Sequence, residues 1–189
     1  LDTTILCSGP NLEIACQKIN TYLSELTTWF DARNLRIQPV KSTATVFTTF
    51  AKELSQQLPV KINGMEIPTV KNPKILGITW DGLLNFGKHV QELKQRLNKR
   101  NNILKALAGS DWGKHKELLV QTYKSIGQSI INYSTPIWAP NLGNSSWNSL
   151  QAAQNAALRT ATGNTRMAST AHLHQESKIM TVKKHSMML

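Results

Sequence analysis

Apolar residues along this chain follow two rhythms, and the change from one to the other falls at a single stretch. Lys74-Ile75-Leu76-Gly77-Ile78-Thr79-Trp80-Asp81 reads as a buried strand, a short run with β-branched and aromatic residues, opened by Pro73 and closed by Asp81-Gly82. Before it, helix and strand signals mix. After it, only helical spacing is found.

Upstream, Thr3-Thr4-Ile5-Leu6-Cys7 is strand-like, and Ser8-Gly9-Pro10-Asn11 stops it and caps the next element. Leu12, Ala15, Cys16, Ile19, Leu23, Leu26 and Phe30 then mark one face of a long helix, which Asn34 ends. Leu35-Arg36-Ile37 predicts a short strand broken by Pro39. Ala44 to Phe50, dense in β-branched and aromatic residues, predicts another. Ala51 to Pro59 reads as a loop or hairpin connection. Val60-Lys61-Ile62 and Met65-Glu66-Ile67 flank Asn63-Gly64, a dipeptide that supplies the two positive-φ positions of a type I′ hairpin turn.

Downstream, Phe86, Val90, Leu93, Leu97, Leu104 and Leu107 space a long helix that Gly109 caps, with Arg100 falling on the apolar stripe. A second helix, from about Lys114, carries Leu119, Tyr123, Ile126, Ile130 and Tyr133 on one face and ends or kinks at Pro136. A third, capped by Asn144-Ser145-Ser146, turns Leu150, Ala153, Ala157 and Leu158 inward and stops at Gly163. A weaker helical pattern covers roughly Ala168 to Glu176, and the last residues are expected to lack order.

These elements make the chain α+β, and 189 residues with 40% hydrophobic content suffice for a core. No run of about 18 apolar residues is present, so no spanning helix is expected. The opening Leu1-Asp2-Thr3-Thr4 lacks an initiator Met and a basic leader region, unlike a signal peptide, and suggests a chain that starts inside a larger structure. Cys7 and Cys16, outside any C-x-x-C pair, read as reduced, buried thiols of an intracellular protein, nuclear or cytoplasmic and not secreted. Charge is lopsided: residues 1–81 carry 8 Lys/Arg and 7 Asp/Glu, residues 82–189 carry 14 and 4, so almost all of the net +11 lies downstream. That points either to a polyanionic partner or to a solvated basic surface.

Candidate chemistry is sparse. Asp2 leads into a strand, where a carboxylate can hold a hard divalent cation, but one carboxylate does not make the two-cation site of nucleotidyl transfer. Lys88, Lys94, Arg96, Lys99, Arg100 and Lys105 line the first downstream helix against a lone Glu92. Such a helix either tracks a phosphate backbone, releasing counterions, or is only a solvated face. Trp112, Trp138 and Trp147 lie near helix ends; they can stack on bases, but packing between helices is the commoner fate. His172 and Glu176 share a helical face while His174 points away, and without a matching Cys or His set all three read as structural.

The order of segments says more than any one residue. Asp2-Thr3-Thr4-Ile5-Leu6, a long helix, Asn34 to Thr43 with its Pro39-Val40-Lys41-Ser42-Thr43 end, Lys74-Ile75-Leu76-Gly77-Ile78 and a basic helical tail follow one another. Tyr133-Ser134-Thr135-Pro136-Ile137-Trp138 and the helix bearing Leu150, Gln154, Asn155, Leu158 and Arg159 complete the set. Taken together this resembles the C-terminal part of a reverse transcriptase from a non-LTR retrotransposon of the jockey-like type, over nearly the whole chain.

The resemblance implies a partial polymerase palm in residues 1–81, a small mainly antiparallel sheet with one long helix, and an all-helical thumb-like bundle in residues 82–189. It implies an RNA-directed DNA polymerase, with an RNA template, a DNA primer and deoxynucleotides as partners. There a primer 3′-hydroxyl attacks the α-phosphate of a nucleotide, with Mg2+ ions held by carboxylates. Asp2 would be the catalytic metal ligand or its neighbour. Lys41 would approach the nucleotide phosphates, where a lysine can protonate the departing pyrophosphate, or else is an exposed loop lysine. Leu76, Gly77 and Ile78 would grip the primer end, with Gly77 allowing close backbone approach or only marking a bulge. The six cations from Lys88 to Lys105 would serve the thumb. Two departures stand out: the fingers and first half of the palm are missing, and Leu1 stands where the first Asp of the family's paired box belongs. The expectation is a fragment or relic, inactive alone, with exposed strand edges in residues 1–81. The alternatives are a non-enzymatic basic helical module that binds nucleic acid, and a helical interaction domain whose charge serves solubility.

Overall fold

The structure, a computed structural model, describes residues 3–109 and 115–189. The chain divides into two compact units: Leu1–Ile75 with Asp81–Leu83, and Leu76–Trp80 with Leu84–Leu189.

In the first unit α1 spans Leu12–Asp31 and begins where the Asn11 side chain accepts the Ile14 N–H at 2.9 Å, satisfying one of the donors a helix start leaves open. Cys16 and Leu23 are buried and Leu12 and Ile19 half-buried on the expected face, packed with Leu58, Val60, Ile62 and Ile67. Strands β1 (Lys61–Ile62) and β2 (Met65–Glu66) pair antiparallel, Lys61 opposite Glu66. The turn between them has φ of +52° at Asn63 and +77° at Gly64, the expected type I′ pattern. Asn20 of α1 ties the helix to this hairpin. Its Nδ2 donates to the Pro59 carbonyl and its Oδ1 accepts the Lys61 N–H, both at 2.9 Å. A primary amide offers the same donor–acceptor pair as a neighbouring backbone, so Asn20 closes β1's outer edge at this point as a strand would.

Three expected strands are absent among the described residues. Thr3 to Cys7 and Leu35 to Ile37 run without a ladder, and Ala44 to Phe50 contributes one isolated parallel bridge, Ala44 to Thr69. β-Propensity measures fit to a paired, half-buried surface, and these segments have no neighbour along which to pair. Pro39–Lys41 instead closes a single 3-10 turn.

The expected continuous strand Lys74–Asp81 is also corrected. It folds back on itself: β3 (Lys74–Ile75) and β4 (Ile78–Thr79) flank a two-residue turn at Leu76-Gly77. The φ angles there, +49° and +81°, repeat those of Asn63-Gly64, with leucine in the place of asparagine.

The second unit is built on α6 (Asn144–Thr162), which packs against α2 (Gly87–Ala108), α3 (Lys116–Tyr123), α7 (Thr170–Ser177) and α8 (Val182–Ser186). Being covered on several sides, α6 buries more than the four residues its spacing marked: Trp147, Gln154, Asn155 and Ala161 join them. On α2 the buried stripe is Val90, Leu93, Leu97, Asn101 and Leu104. Asn101, not Arg100, takes the stripe position, and its Nδ2 donates to the Ala153 carbonyl of α6 at 3.2 Å, so a polar group is accommodated in the seam. Arg100 and Leu107 are exposed.

The second downstream helix departs from its pattern midway. Lys124–Gln128 forms a π turn between α3 and α4 (Ser129–Asn132). Its extra residue moves the inward face on by one, so Gly127 and Ile131 are buried in place of Ile126 and Ile130, and past the helix end at Tyr133 it is Thr135 that is buried. Pro136 sits in the first turn of α5 (Thr135–Trp138). The last residues, expected to lack order, form α8, capped by Thr181 and anchored by buried Ile179 and Val182. A polar cluster binds this end to α6: Gln151 accepts the Val182 N–H at 2.9 Å, Gln154 donates to the Met180 carbonyl at 3.2 Å, and the His174 Nδ1 lies 2.8 Å from the Ile179 carbonyl. His174 thus has a structural partner, as does Glu176, which bonds Lys116 and Asn164.

Candidate nucleic-acid interface

Leu76-Gly77 forms the tip of the β3–β4 hairpin, and its side chains are sorted sharply. Ile78 is 1% exposed and belongs to the core; Leu76 is 79% exposed. A left-handed φ costs a leucine about 1–2 kcal/mol, so this apolar side chain is presented to solvent on a strained backbone. The hairpin is fastened from below by Thr79. Its N–H donates to His89 Nδ1 at 3.3 Å and its hydroxyl to Glu92 Oε2 at 2.8 Å, so the one acidic residue of α2 is occupied in holding β4. At the tip itself the Tyr133 hydroxyl donates to the Leu76 carbonyl at 2.8 Å, and the Tyr133 ring lies against Gly77.

The six α2 cations do not form one row. At about 100° per residue, Lys88, Arg96, Lys99 and Arg100 share an arc of about 120° on one flank of the buried stripe, into which buried His89 also falls, whereas Lys94 and Lys105 lie on the opposite flank. All are exposed except Lys94, which is half-buried. Lys94 borders a groove of about 200 Å³ together with Gly87, Gln91, Ser145, Ser146 and Ser149 at the start of α6. The ion pairs among the described residues, Lys61–Glu66, Lys116–Glu176 and His172–Glu176, leave these six cations unneutralised. The tryptophans divide otherwise: Trp138 and Trp147 are core residues, with ring centroids 6.2 Å apart, and Trp112 lies outside the described residues.

Lys41 sits exposed at the end of the Pro39–Lys41 turn in the first unit, and Asp2 lies outside the described residues. Among the described residues no three His, Cys, Asp or Glu side chains come together, so those side chains do not fit a magnesium site. The shifted titrating groups are structural ones. A hydrogen bond from Lys116, and a second from Asn164, hold the Glu176 carboxyl below its ordinary value. Burial pushes the Tyr123 phenol well up, and burial with the nearby Cys7 raises the Cys16 thiol. Of the two thiols, Cys16 is buried as expected and Cys7 only half-buried.

Over 183 residues the chain is 27% identical to a Drosophila melanogaster protein named "Probable RNA-directed DNA polymerase from transposon BS". The matched stretch is 96% of this chain and 20% of that protein. The chain is similar to a transposon polymerase. The likeness to a transposon RNA-directed DNA polymerase therefore runs along almost the entire sequence, and the chain spans about a fifth of the length of the curated relative it matches. No family model matches the chain, and no solved structure does. Among the described residues no helix is long and apolar enough to cross a membrane.

Against that likeness, the structure brings Leu76, Gly77 and Ile78 into one turn and spreads the α2 cations over two flanks. The residues that hold the turn, Thr79, His89, Glu92 and Tyr133, were not marked as functional by their sequence. Tyr133 had a weak signal: Pro136, three residues on, marks a helix boundary close to it.

Proposed function

We propose that this chain is part of the RNA-directed DNA polymerase of a non-LTR, jockey-like retrotransposon, and that it grips a primer–template duplex. Residues 1–81 correspond to the later part of a palm and residues 82–189 to a helical thumb. The Leu76-Gly77 tip meets the primer end. Lys88, Arg96, Lys99 and Arg100 on α2 lie along the phosphates of the RNA template and DNA primer, with Lys94 and Lys105 secondary. Lys41 faces the phosphates of an incoming deoxynucleotide. The observation that carries this reading is the likeness to a transposon RNA-directed DNA polymerase across 96% of the chain. The unneutralised α2 arc supports the binding part. Asp2 would be the chain's share of a Mg2+ site; with no carboxylate cluster among the described residues, no chemical step is assigned to this chain alone.

That same observation favours a second reading, a module that binds nucleic acid without chemistry. One titration tests the shared claim. The full chain is bound to a labelled RNA–DNA hybrid across a salt series. A plot of log affinity against log salt is expected to fall steeply, and changing Lys88, Arg96, Lys99 and Arg100 to Ala should lower the slope by about 3 to 4. Changing Lys94 and Lys105 should lower it by no more than about 2. A slope indifferent to the four-residue change removes α2 from the interface. Primer extension with Mg2+ and deoxynucleotides then separates the two readings.

A further inference from the structure

A leucine at φ +49° on an exposed two-residue turn is not self-sustaining; such backbones persist where their surroundings over-determine them. Here one side chain reaches the tip. Tyr133 reaches back 57 residues to place its hydroxyl 2.8 Å from the Leu76 carbonyl, and its ring stands where a Cβ on Gly77 would come within 3.4 Å. The ring is not there to fill a core, since Tyr133 is 53% exposed. Its own backbone is fixed with unusual care. Tyr133 closes α4, Ser134 follows at φ +52°, and the indole N–H of Trp138, a fully buried residue, donates to the Tyr133 carbonyl at 3.0 Å. Across the same break the Thr135 hydroxyl donates to the Ile131 carbonyl at 2.7 Å. A relay of two hydrogen bonds thus runs from the buried Trp138 through Tyr133 to the exposed tip.

We propose that Tyr133 is a positioning residue for nucleic-acid binding: it locks the Leu76-Gly77 turn in the shape in which the Leu76 side chain meets the end of a nucleic-acid strand. This rests on the primer-grip reading of the tip, and it adds a residue with no contact to the nucleic acid of its own. The backbone carbonyl of Leu76 is the point of control, because fixing it fixes the peptide plane between the two turn residues, and with it ψ of Leu76 and φ of Gly77. Removing only the hydroxyl removes only the lock.

The test is Tyr133→Phe in the full 189-residue chain. In the free protein, amide exchange is expected to quicken across Lys74 to Thr79 and to stay as in wild type through α2 and α6. Affinity for an RNA–DNA hybrid with a recessed 3′ end should fall about 2- to 10-fold, the range one ordinary hydrogen bond spans. The salt slope should not move, because no cation is touched, and adding Tyr133→Phe to Leu76→Asn should cause no further loss. A phenylalanine variant that exchanges faster yet binds as wild type does, or one whose loss adds fully to that of Leu76→Asn, overturns the positioning role alone. A wild-type chain without affinity for the hybrid at low salt overturns the grip reading, and the positioning role with it.

Discussion

Leu76→Asn should make this protein more stable while making it bind nucleic acid less well. The chain contains its own control. Asn63-Gly64 and Leu76-Gly77 are both two-residue hairpin turns with both φ angles positive, +52° and +77° in one, +49° and +81° in the other. Asparagine enters the left-handed region readily and is favoured at the first position of such a turn; leucine loses about 1–2 kcal/mol there. Against that gain stands lost burial. A leucine fully buried is worth about 1.5–3 kcal/mol, but Leu76 is 79% exposed, so only about 0.5 kcal/mol is forfeited. The net expectation is a gain of about 0.5–1.5 kcal/mol. For a chain of 189 residues that raises the melting temperature by about 1–6 °C. Urea or thermal unfolding, followed by the fluorescence of Trp138 and Trp147 in the second unit's core, reads it directly. A variant less stable than wild type refutes the reasoning, since it means the leucine is held by contacts its exposure does not reveal. A variant that gains stability and keeps full affinity for the hybrid leaves the strain without a purpose in binding.

Two further outcomes follow from the geometry. Asn20→Ala removes both bonds to the β1 edge and should cost the first unit about 1–3 kcal/mol, seen as faster exchange of the Lys61 N–H and a lower urea midpoint. Glu176 has its folded pKa lowered by Lys116 and Asn164, so its contribution is present above the unfolded carboxylate value near about 4.3 and is lost as pH falls through the lower folded value. The melting-temperature gap between wild type and Glu176→Gln should be constant above about pH 5 and close below about pH 4; a gap that persists in acid would mean that the charge of Glu176 is not what holds α7 to Lys116.

Helices were legible because their evidence is local and repeated. Seven apolar positions located α1, and six located α2, to within a residue or two. The Asn63-Gly64 turn was legible because its chemistry is written in two adjacent residues. What failed was whatever depends on a neighbour. Ala44 to Phe50 has strand composition and lacks the ladder partner that composition cannot supply. Leu76-Gly77 was hidden because leucine is the wrong residue for its turn, and a residue that violates its local rule carries no local signal. The π turn at Lys124–Gln128 moved one helical face by a single position, which no periodicity could anticipate. Of the candidate interface, the cations could be counted from the sequence, but their division into an arc of four and a flank of two needed the position of the buried stripe, which Asn101 rather than Arg100 defines.

Asn20 also bears on how freely this protein can change in length. Its amide meets Pro59 and Lys61 across about forty intervening residues, most of them without regular structure. Both bonds belong to one rigid group, so a slip of α1 by one residue, about 1.5 Å and 100°, breaks both together. The contact is thus a key cut for a single alignment, while the segment it spans is a tether. The entropy of closing a tether grows only with the logarithm of its length, about 0.6 kcal/mol for each doubling. Related chains can therefore lengthen or shorten the stretch between α1 and the β1–β2 hairpin and still dock the two in the same alignment, so long as the asparagine and the hairpin edge are kept.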